Sequence, residues 1–390
     1  MWIWQHEDWP NYEYDASVGA ERARAFFLKN DRLTGRLEGL SEPYRWDAAV
    51  DLLLAEAIKT SAIEGEYLDR ESVRSSILSL LGRTAAGGGK APTDEKAAGV
   101  AALIVDVRRH WDQPLTEEVL HRWQGMVLPE ERSWLRAGMV RGAYRNHPMQ
   151  VVSGAVVHYE APPPERVRSE MDRFLAWYAS TDSKDPRGPA PGPLKAGIAH
   201  LWFEQIHPFE DGNGRVGRAV ADHALSQCLG RPTLVCLAAA IEKNRKQYYR
   251  ELQRLARGGV DLDPWLGFFM EQVDEAADIA RRRVDFVLTK ARFYERHGEG
   301  LTPRQAKAVA RMFAAGDGGF EGGMTNRKYQ AITRCSMPTA TRDLADLAAR
   351  KILVRRPGGG RSTSYDLGCL ARGPGPPDDE SMENGGLPVF

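Results

Sequence analysis

The sequence predicts a mainly α-helical protein. Long stretches of the chain place apolar residues three and four positions apart, as amphipathic helices do. Two stretches favour short strands instead: residues 144–161, where valine-rich runs flank Ser153-Gly154, and the residues that follow Ile352. With 390 residues, of which 42% are hydrophobic and 27% charged, the chain has the composition of a globular protein of two or three domains.

Charge and cysteine content argue against several classes of protein. Lys plus Arg and Asp plus Glu both number 53, so no overall charge favours nucleic acid or a membrane surface. The four cysteines lack the spacing of a disulfide framework or a zinc site. The acidic, aromatic N-terminus is unlike a signal peptide, and no apolar run reaches the roughly 18 residues of a membrane helix. We therefore expect a cytoplasmic protein with no membrane partner.

Glycine- and proline-rich breaks divide the chain. They occur at 84–92, 181–193 and 298–300, and a sequence rich in Pro, Gly and acidic residues follows Ala371. From these breaks we predict an N-terminal helical domain (1–92), a central domain (93–298), a C-terminal domain (299–370) and a disordered tail (371–390).

One run in the central domain, His207 to Arg218 (HPFEDGNGRVGR), combines the groups needed to handle a nucleoside triphosphate. It joins two predicted helices, Leu194 to Ile206 and a second that begins near Arg215. Its glycines lie where the unpaired N–H groups and the positive end of the second helix form an anion site. Glycine also permits close approach of phosphate to the backbone. The junction therefore predicts a phosphate-binding loop.

The charged side chains of this run suit the same purpose. Asp211 fits Mg²⁺, which binds one or two carboxylates and is completed by substrate phosphates and water. Arg215 and Arg218 are three positions apart and can reach successive phosphates through charge-assisted hydrogen bonds. His207, with an ordinary pKa of about 6.5, is the natural general base for a substrate hydroxyl.

The whole run resembles the H-x-F-x-[D/E]-G-N-G-R-x-x-R signature of Fic-domain proteins, and every fixed position is present. The resemblance implies a Fic-type helical core that transfers AMP from ATP to a hydroxyl side chain (Ser, Thr or Tyr) of a target protein. It also implies that ATP and Mg²⁺ are required. Gly214 stands where the family's kinase-like branch has lysine, which argues against phosphoryl or phosphocholine transfer.

The same resemblance implies a role for each signature position. His207 would be the base, Phe209 the buried anchor of the loop and Asp211 the Mg²⁺ ligand. Gly212, Asn213 and Gly214 would form the phosphate cradle. Arg215 would bind on the β-phosphate side and Arg218 would bind the γ-phosphate. Glu210 occupies a variable position, and we expect a solvated carboxylate there.

A β-hairpin is predicted ahead of the signature. Residues 150–152 and 155–159 have strand character and flank Ser153-Gly154. In Fic proteins a hairpin at this place clamps the target segment by adding it as a strand, so we expect a target protein to dock near Val151–Val157. A purely structural hairpin is the alternative.

A second motif, Thr60 to Gly65 (TSAIEG), closes an N-terminal helix. Gly65 suits the left-handed position past the helix end, and Thr60 and Glu64 share a helix face. The hexamer resembles the [S/T]-x-x-x-E-[G/N] inhibitory motif of Fic proteins, whose glutamate pairs with the second signature arginine, here Arg218. We name residues 60–65 the inhibitory segment and expect Glu64 to compete with the ATP γ-phosphate. In some family members this glutamate supports AMP removal, an activity that the sequence leaves open.

Residues 244–252 resemble a Fic segment that approaches the adenosine. The resemblance makes Asn244, Tyr248 and Tyr249 candidate adenosine contacts, since aromatic rings suit stacking on a base. The alternative is that the two tyrosines pack a helix face.

Residues 301–367 show three helices followed by strand, turn and strand, a winged helix–turn–helix pattern often appended to Fic cores. They carry twelve Lys or Arg against five acidic residues, and Thr339, Thr341 and Arg342 lie on the candidate recognition helix. DNA binding and protein docking, a homodimer included, both stay open. The alternative function for the chain is therefore a winged-helix DNA-binding regulator that uses the Fic core as an ATP sensor.

Overall fold

The computed structural model of the chain is mainly α-helical, which confirms the predicted fold class. It describes residues 1–15, 17, 20–83, 94–128, 140–153, 156–182, 184, 190, 192–316, 318–357 and 363–371. None of the helices in these ranges is long and apolar enough to cross a membrane. The predicted boundary at 84–92 and the predicted tail after Ala371 lie outside the described residues.

The elements follow one another along the chain as helices interrupted by two pairs of short strands. Before the signature run they are α1 (Ala20–Glu38), α2 (Glu42–Ile63), α3 (Arg70–Leu80), α4 (Glu95–Arg109), α5 (Glu117–Val127), β1 (Gln150–Ser153), β2 (Val156–Glu160), α6 (Pro164–Ser180) and α7 (Leu194–Ile206). From the signature onward they are α8 (Asn213–Leu229), α9 (Leu237–Lys243), α10 (Arg245–Ala256), α11 (Asp263–His297), α12 (Pro303–Phe313), α13 (Asn326–Thr333), α14 (Met337–Ala349), β3 (Leu353–Arg355), β4 (Tyr365–Leu367) and α15 (Gly368–Ala371).

The chain divides into two compact units. The first comprises Met1–Thr34 and Ala49–Ala280, and the second comprises Gly35–Ala48 and the described part of Arg281–Leu387. The first unit has one continuous apolar core to which α2, α4, α7 and α8 all contribute buried side chains. The N-terminal helical part and the signature helices therefore fold around the same core.

Helix α2 ends in a Schellman motif at the inhibitory segment. As predicted, Gly65 is left-handed, with φ +82°. Its N–H donates to the Ala62 carbonyl (3.1 Å), and the N–H of Glu66 donates to the Ser61 carbonyl (3.0 Å). Glycine adopts this conformation without the steric cost that a side chain imposes. The motif fixes the backbone of Glu64 and Glu66, which lie on either side of Gly65.

The junction that carries the signature lies between α7 and α8. Helix α7 covers the predicted residues, but α8 begins at Asn213 rather than near Arg215. Gly212 precedes it with φ +87°, so only this residue of the Gly-Asn-Gly sequence is outside the helix. The helix starts early because the Asn213 side chain hydrogen bonds to the backbone of Phe209, which closes the loop before the first turn.

The predicted hairpin is present in the first unit. Strands β1 and β2 pair antiparallel, with Gln150 opposite Glu160 and an irregularity between Val151 and Val152. Residues 154 and 155 at its tip lie outside the described residues. Val152 and Val156 are 56% and 57% exposed, so the hairpin presents apolar side chains to solvent.

The second unit contains α12, α13 and α14, followed by β3 paired antiparallel with β4. Thr302 and Gln305 form a capping box at α12, with Pro303 in its first turn as predicted. A separate apolar core, with Tyr329 and Leu344 among its members, holds these elements together. Three helices and a hairpin thus occur in the predicted order.

A pair of helical glycines tests the packing of the first unit. A Cβ at Gly99 in α4 would collide with the Met126 carbonyl of α5, whereas a Cβ at Gly267 in α11 would meet nothing within 4 Å. We expect Gly99→Ala to lower the free energy of unfolding by about 1–3 kcal/mol. Gly267→Ala should raise it by about 0.5–1 kcal/mol, because alanine restricts the unfolded chain. Denaturant unfolding measures both, and equal effects of the two variants would contradict the close approach of α4 and α5.

Candidate active site

His207 occupies the turn that ends α7. Its backbone is left-handed (φ 50°, ψ 59°), a conformation that is uncommon for a residue with a side chain. Nδ1 of the imidazole lies 3.3 Å from the Glu204 carbonyl oxygen. A carbonyl only accepts, so Nδ1 carries the proton in this arrangement and Nε2 is left as an acceptor. In this arrangement Nε2 is the ring nitrogen that can accept a proton, and the base role that the signature implies stays a prediction.

Arg145, which sequence reasoning missed, holds this turn. Its buried guanidinium donates to the backbone carbonyls of His207 (2.8 Å), His147 (3.0 Å) and Pro162 (2.6 Å). The backbone N–H of Arg145 donates to the Pro208 carbonyl (2.9 Å). His147 and Pro162 lie on the two sides of the hairpin, so one side chain connects both ends of the hairpin to the turn that carries His207.

Phe209 and Asn213 close the loop between the two helices. Phe209 is fully buried, as predicted for an anchor, and packs with Tyr144, Phe203 and His121. Oδ1 of Asn213 accepts the Phe209 N–H (2.9 Å), and its Nδ2 donates to the Phe209 carbonyl (2.7 Å). The Asn213 amide is therefore used within the loop, and only its backbone N–H remains at the helix start.

The N-terminus of α8 has the geometry of an anion site. The first N–H groups of a helix lack partners within it, and here they belong to Asn213, Gly214 and Arg215. A Cβ at Gly214 would collide with the carboxylate of Glu64. The Glu64 carboxylate therefore lies directly over this helix start, where only glycine leaves room for it.

Glu64 and Thr60 of the inhibitory segment both contact Arg218. The Glu64 carboxylate lies 2.9 Å from Nη1 of Arg218. Nε of Arg218 donates to the Thr60 hydroxyl (2.8 Å), and its Nη2 donates to the Thr60 carbonyl (2.9 Å). The guanidinium is 2% exposed, whereas the glutamate side chain is 32% exposed. The structure thus brings together the two motifs that the sequence analysis paired.

Arg215 is held by a residue that the sequence analysis did not identify. Nη1 of Arg215 donates to Oε2 of Glu66 (2.7 Å), and the arginine side chain is only 5% exposed. The other carboxylate oxygen of Glu66 accepts from Nζ of Lys96 (2.8 Å). Both arginines of the signature therefore face a carboxylate from the end of α2.

Asp211 suits a magnesium ion whose coordination shell is completed by substrate phosphates and water. Its carboxylate is 42% exposed, accepts the Gly212 N–H through Oδ1 (2.6 Å) and lies 3.7 Å from Arg215. Among the described residues, no group of three or more His, Cys, Asp or Glu could hold a metal ion alone. A single exposed carboxylate beside an anion site matches the way Mg²⁺ binds through one or two carboxylates, phosphates and water.

Glu210 corrects an expectation. A solvated carboxylate was expected at this position, but the side chain is only 13% exposed and lies 3.1 Å from Nδ1 of His147. Because His147 precedes β1, this contact turns Glu210 toward the base of the hairpin rather than to water.

Burial tunes the titratable groups around the anion site. It lowers the pKa of His207 to about 4, although the Glu204 carbonyl and the Glu64 charge act in the opposite direction. Burial raises the pKa of Glu204 to about 8, against the effect of Arg218. For Arg218, burial alone would lower the pKa, but Glu64 and other nearby groups raise it above its usual value. At neutral pH the site therefore combines a neutral imidazole, a neutral Glu204 and a charged guanidinium.

The three candidate adenosine residues are used differently. Tyr248 is buried, and its hydroxyl lies 2.9 Å from Nε2 of His200, so it packs a helix face. Tyr249 is half-buried and donates to the Ile63 carbonyl (3.1 Å). Nδ2 of Asn244 donates to Gln272 (2.8 Å). Of the three, Tyr249 lies beside the inhibitory segment.

The candidate recognition residues lie on α14 in the second unit. Thr341 and Arg342 are exposed and Thr339 is half-buried. The Thr341 hydroxyl accepts from Nδ2 of Asn326 (3.2 Å) and donates to the Met337 carbonyl (3.0 Å). Thr341 is thus involved in contacts within the unit.

The chain contains a domain of the Fic/DOC family, whose model matches residues 114–225. The match covers the helices on both sides of the signature and the hairpin ahead of it. Residues 2–82, which include the inhibitory segment, match a second family described as a domain of unknown function (DUF4172). Glu64 and Glu66, which contact the two signature arginines, belong to this second family's region.

Curated relatives resemble this chain over about a third of its length. A uridine 5′-monophosphate transferase of Xanthomonas campestris is 26% identical over 139 residues, 34% of this chain and 26% of that protein. The protein adenylyltransferase Fic of Nematostella vectensis is 29% identical over 117 residues, 30% of this chain and 25% of that protein. A probable protein adenylyltransferase of Aquifex aeolicus is 32% identical over 130 residues, 33% of this chain and 35% of that protein.

Two solved structures are also similar to the chain. A Fic family protein from Desulfovibrio desulfuricans has a TM-score of 0.49 at 19% identity, covering 89% of this chain and 95% of that chain. A Fic domain containing signaling protein from Bacteroides thetaiotaomicron has a TM-score of 0.49 at 20% identity, covering 66% of this chain and 95% of that chain. The family model, rather than these likenesses, identifies the domain.

The imidazole of His207 should titrate well below an ordinary histidine. We expect a midpoint near pH 4, because burial disfavours the charged ring. Glu64→Gln should lower it further, since the carboxylate favours the imidazolium. NMR titration of the ring protons, assigned by their loss in His207→Ala, measures both values. A midpoint at or above about 6.5, the ordinary value, would contradict the buried, neutral base.

Arg145 should be needed for the stability of the turn. Lysine cannot reproduce the planar donor fork, so Arg145→Lys leaves buried carbonyls unsatisfied and should cost about 1–3 kcal/mol of unfolding free energy. Arg254→Lys is the matched control, because Arg254 is 44% exposed and pairs only with the partly exposed Glu251 in the contacts described. Its effect should stay within about 0.5 kcal/mol. Equal stability of both variants in denaturant unfolding would show that the Arg145 hydrogen bonds contribute nothing.

Proposed function

We propose that this protein is a nucleotidyltransferase that moves AMP from ATP to a hydroxyl side chain of a target protein, and that it rests in an inhibited state. The contact that carries the proposal is that of the Glu64 carboxylate with Arg218 at the start of α8. A carboxylate at a helix N-terminus beside a buried arginine occupies the place and charge of a phosphate. The Fic/DOC match and the adenylyltransferase names of the relatives support the same reaction.

The residues of the turn suit an in-line attack on the α-phosphate. Nε2 of His207 accepts the proton of the target hydroxyl as its oxygen bonds to the α-phosphorus. The bond between the α- and β-phosphates breaks, and pyrophosphate leaves with the electron pair. The N–H groups at the start of α8 and the guanidinium groups of Arg215 and Arg218 stabilise the phosphate charges.

Asp211 would hold the magnesium ion. The ion supplies charge neutralisation for the phosphates when it is bound. Oδ1 of Asp211 already accepts the Gly212 N–H (2.6 Å), which orients the carboxylate before any ion arrives. Nη2 of Arg215 lies 3.7 Å from the same oxygen.

Tyr249 is the candidate for contact with adenine, because it is half-buried and bonded to the end of α2. Tyr248 is accounted for by its packing on His200. One relative is named as a uridine 5′-monophosphate transferase, so the test includes UTP beside ATP.

The target protein would bind along the hairpin. Val152 and Val156 are exposed, and a strand of a two-stranded sheet offers backbone groups for pairing with a target segment. Arg145 and Glu210 tie the hairpin base to the catalytic turn, so a segment held there is close to His207. DNA binding by the second unit stays a prediction, since exposed charge on a helix does not establish base recognition.

Loss of the Glu64 carboxylate should release the enzyme. We expect Glu64→Gly to raise nucleotide incorporation by roughly tenfold to a hundredfold, because the γ-phosphate can then reach Arg218 and align the α-phosphate. Intact-mass analysis of the purified variant with Mg²⁺ and either ATP or UTP measures the transfer. A gain equal to one AMP is the expected result.

Two controls define the outcome. Glu64→Gly combined with His207→Ala should lose the activity by at least about a hundredfold while still binding nucleotide, since only the base is removed. Glu64→Gly protein that binds ATP without any mass gain, on itself or on added cell proteins, would argue against a transferase. A gain equal to UMP alone would keep the reaction class and change the substrate.

A further inference from the structure

The end of α2 presents two carboxylates, and the inhibitory segment explains only one of them. Glu66 follows Gly65 and contacts Arg215 at 2.7 Å, whereas Glu64 contacts Arg218 at 2.9 Å. The arginines are one helical turn apart on α8. The glutamates are two residues apart across a left-handed glycine. Each carboxylate therefore faces its own guanidinium.

We infer that Glu66 is a second inhibitory carboxylate, which blocks the β-phosphate position at Arg215 independently of Glu64. The inference rests on the proposed nucleotide site and adds to its regulation. Arg215 is 5% exposed, and a charge-assisted hydrogen bond to so buried a cation competes directly with an incoming phosphate oxygen. Two anions from one turn thus occupy both cations that the phosphate chain requires.

The Schellman motif is what makes this second contact possible. The hydrogen bond from the Glu66 N–H to the Ser61 carbonyl (3.0 Å) fixes the backbone of Glu66. Without it, the residue after Gly65 would belong to a free loop, and ordering its side chain on Arg215 would cost conformational entropy. The segment therefore holds both carboxylates in position at once.

Lys96 forms a second contact with Glu66, on the side away from Arg215, and a bound nucleotide need not disrupt it. Its Nζ lies 2.8 Å from Oε1 of Glu66, on the carboxylate oxygen that does not bind Arg215. When a phosphate displaces Glu66 from Arg215, the Glu66 carboxylate can keep its contact with Lys96 and so remains paired with a cation. Glu66 is 23% exposed, so it is also close to water when it moves. The second contact is therefore reversible, as regulation requires.

Nucleotide binding to the whole chain tests this inference, with ATP and AMP as probes. Titration calorimetry with Mg²⁺ is carried out on the unchanged protein and on the Glu64→Gly, Glu66→Gln and doubly substituted proteins. In the Glu64→Gly background, Glu66→Gln should tighten ATP binding about tenfold, since a competing carboxylate is neutralised. AMP, which has no β-phosphate, should change by less than about twofold.

Glu242→Gln is the matched control. Glu242 makes a comparable, partly exposed ion pair with Lys59 of α2 (3.1 Å) and contacts no signature residue in the described structure. Its substitution in the Glu64→Gly background should leave ATP affinity unchanged. Thermal melting of each variant verifies that the chain is folded.

The outcomes separate this inference from the proposed function. ATP affinity equal in Glu64→Gly and the double variant would overturn the role of Glu66 alone. Equal tightening of AMP and ATP, or the same gain in Glu242→Gln, would also overturn it, because a general charge effect would then explain the result. Absence of ATP binding in every variant would overturn both proposals. Tighter ATP binding without transfer would uphold Glu66 as a block and contradict the transferase.

Discussion

Two buried guanidinium groups at the positive end of α8 impose the main constraint on the first unit. Arg215 and Arg218 are 5% and 2% exposed, and a buried cation is costly unless an anion faces it. The N–H groups of the same helix end add to the positive potential. Glu64 and Glu66 supply the anions that face these two cations. In the proposed mechanism, inhibition and substrate binding are two ways to meet this electrostatic requirement.

The attachment of α2 indicates which part of it moves. Glu56 is buried and accepts the Ala238 N–H at the start of α9 (2.9 Å), and the buried Thr60 accepts from Arg218. In contrast, the side chains of Glu64 and Glu66 are partly exposed. Moving the whole helix would unpair buried polar groups, whereas rotating two glutamates into water would not. The contrast favours release by local side-chain movement at the end of α2 rather than by its removal.

Sequence patterns predicted the features that depend on local spacing. The bounds of α7, the left-handed Gly65 and the hairpin agree with the structure. The contact of Glu64 with Arg218, which the family resemblance implies, is also present. Glu66 and Arg145 were missed because each acts through contacts far along the chain, and such contacts leave no periodicity. The prediction of a solvated Glu210 was wrong for the same reason, since its partner His147 is 63 residues away in the chain. A second carboxylate beside the glycine of the inhibitory segment was the one local signal for Glu66.

The protonation state of Glu204 bears on why the proposed inhibition uses the partly exposed Glu64 and Glu66. Burial raises the pKa of Glu204 to about 8, so at neutral pH this carboxyl is mostly uncharged and does not itself offset the charge of Arg218. A fully ionised buried carboxylate would neutralise Arg218 permanently, and a phosphate would then bind this arginine only weakly. Because the compensating charges come from the partly exposed end of α2, they can be displaced. The low pKa of His207 has the same origin, so burial keeps both the imidazole and the Glu204 carboxyl uncharged at neutral pH.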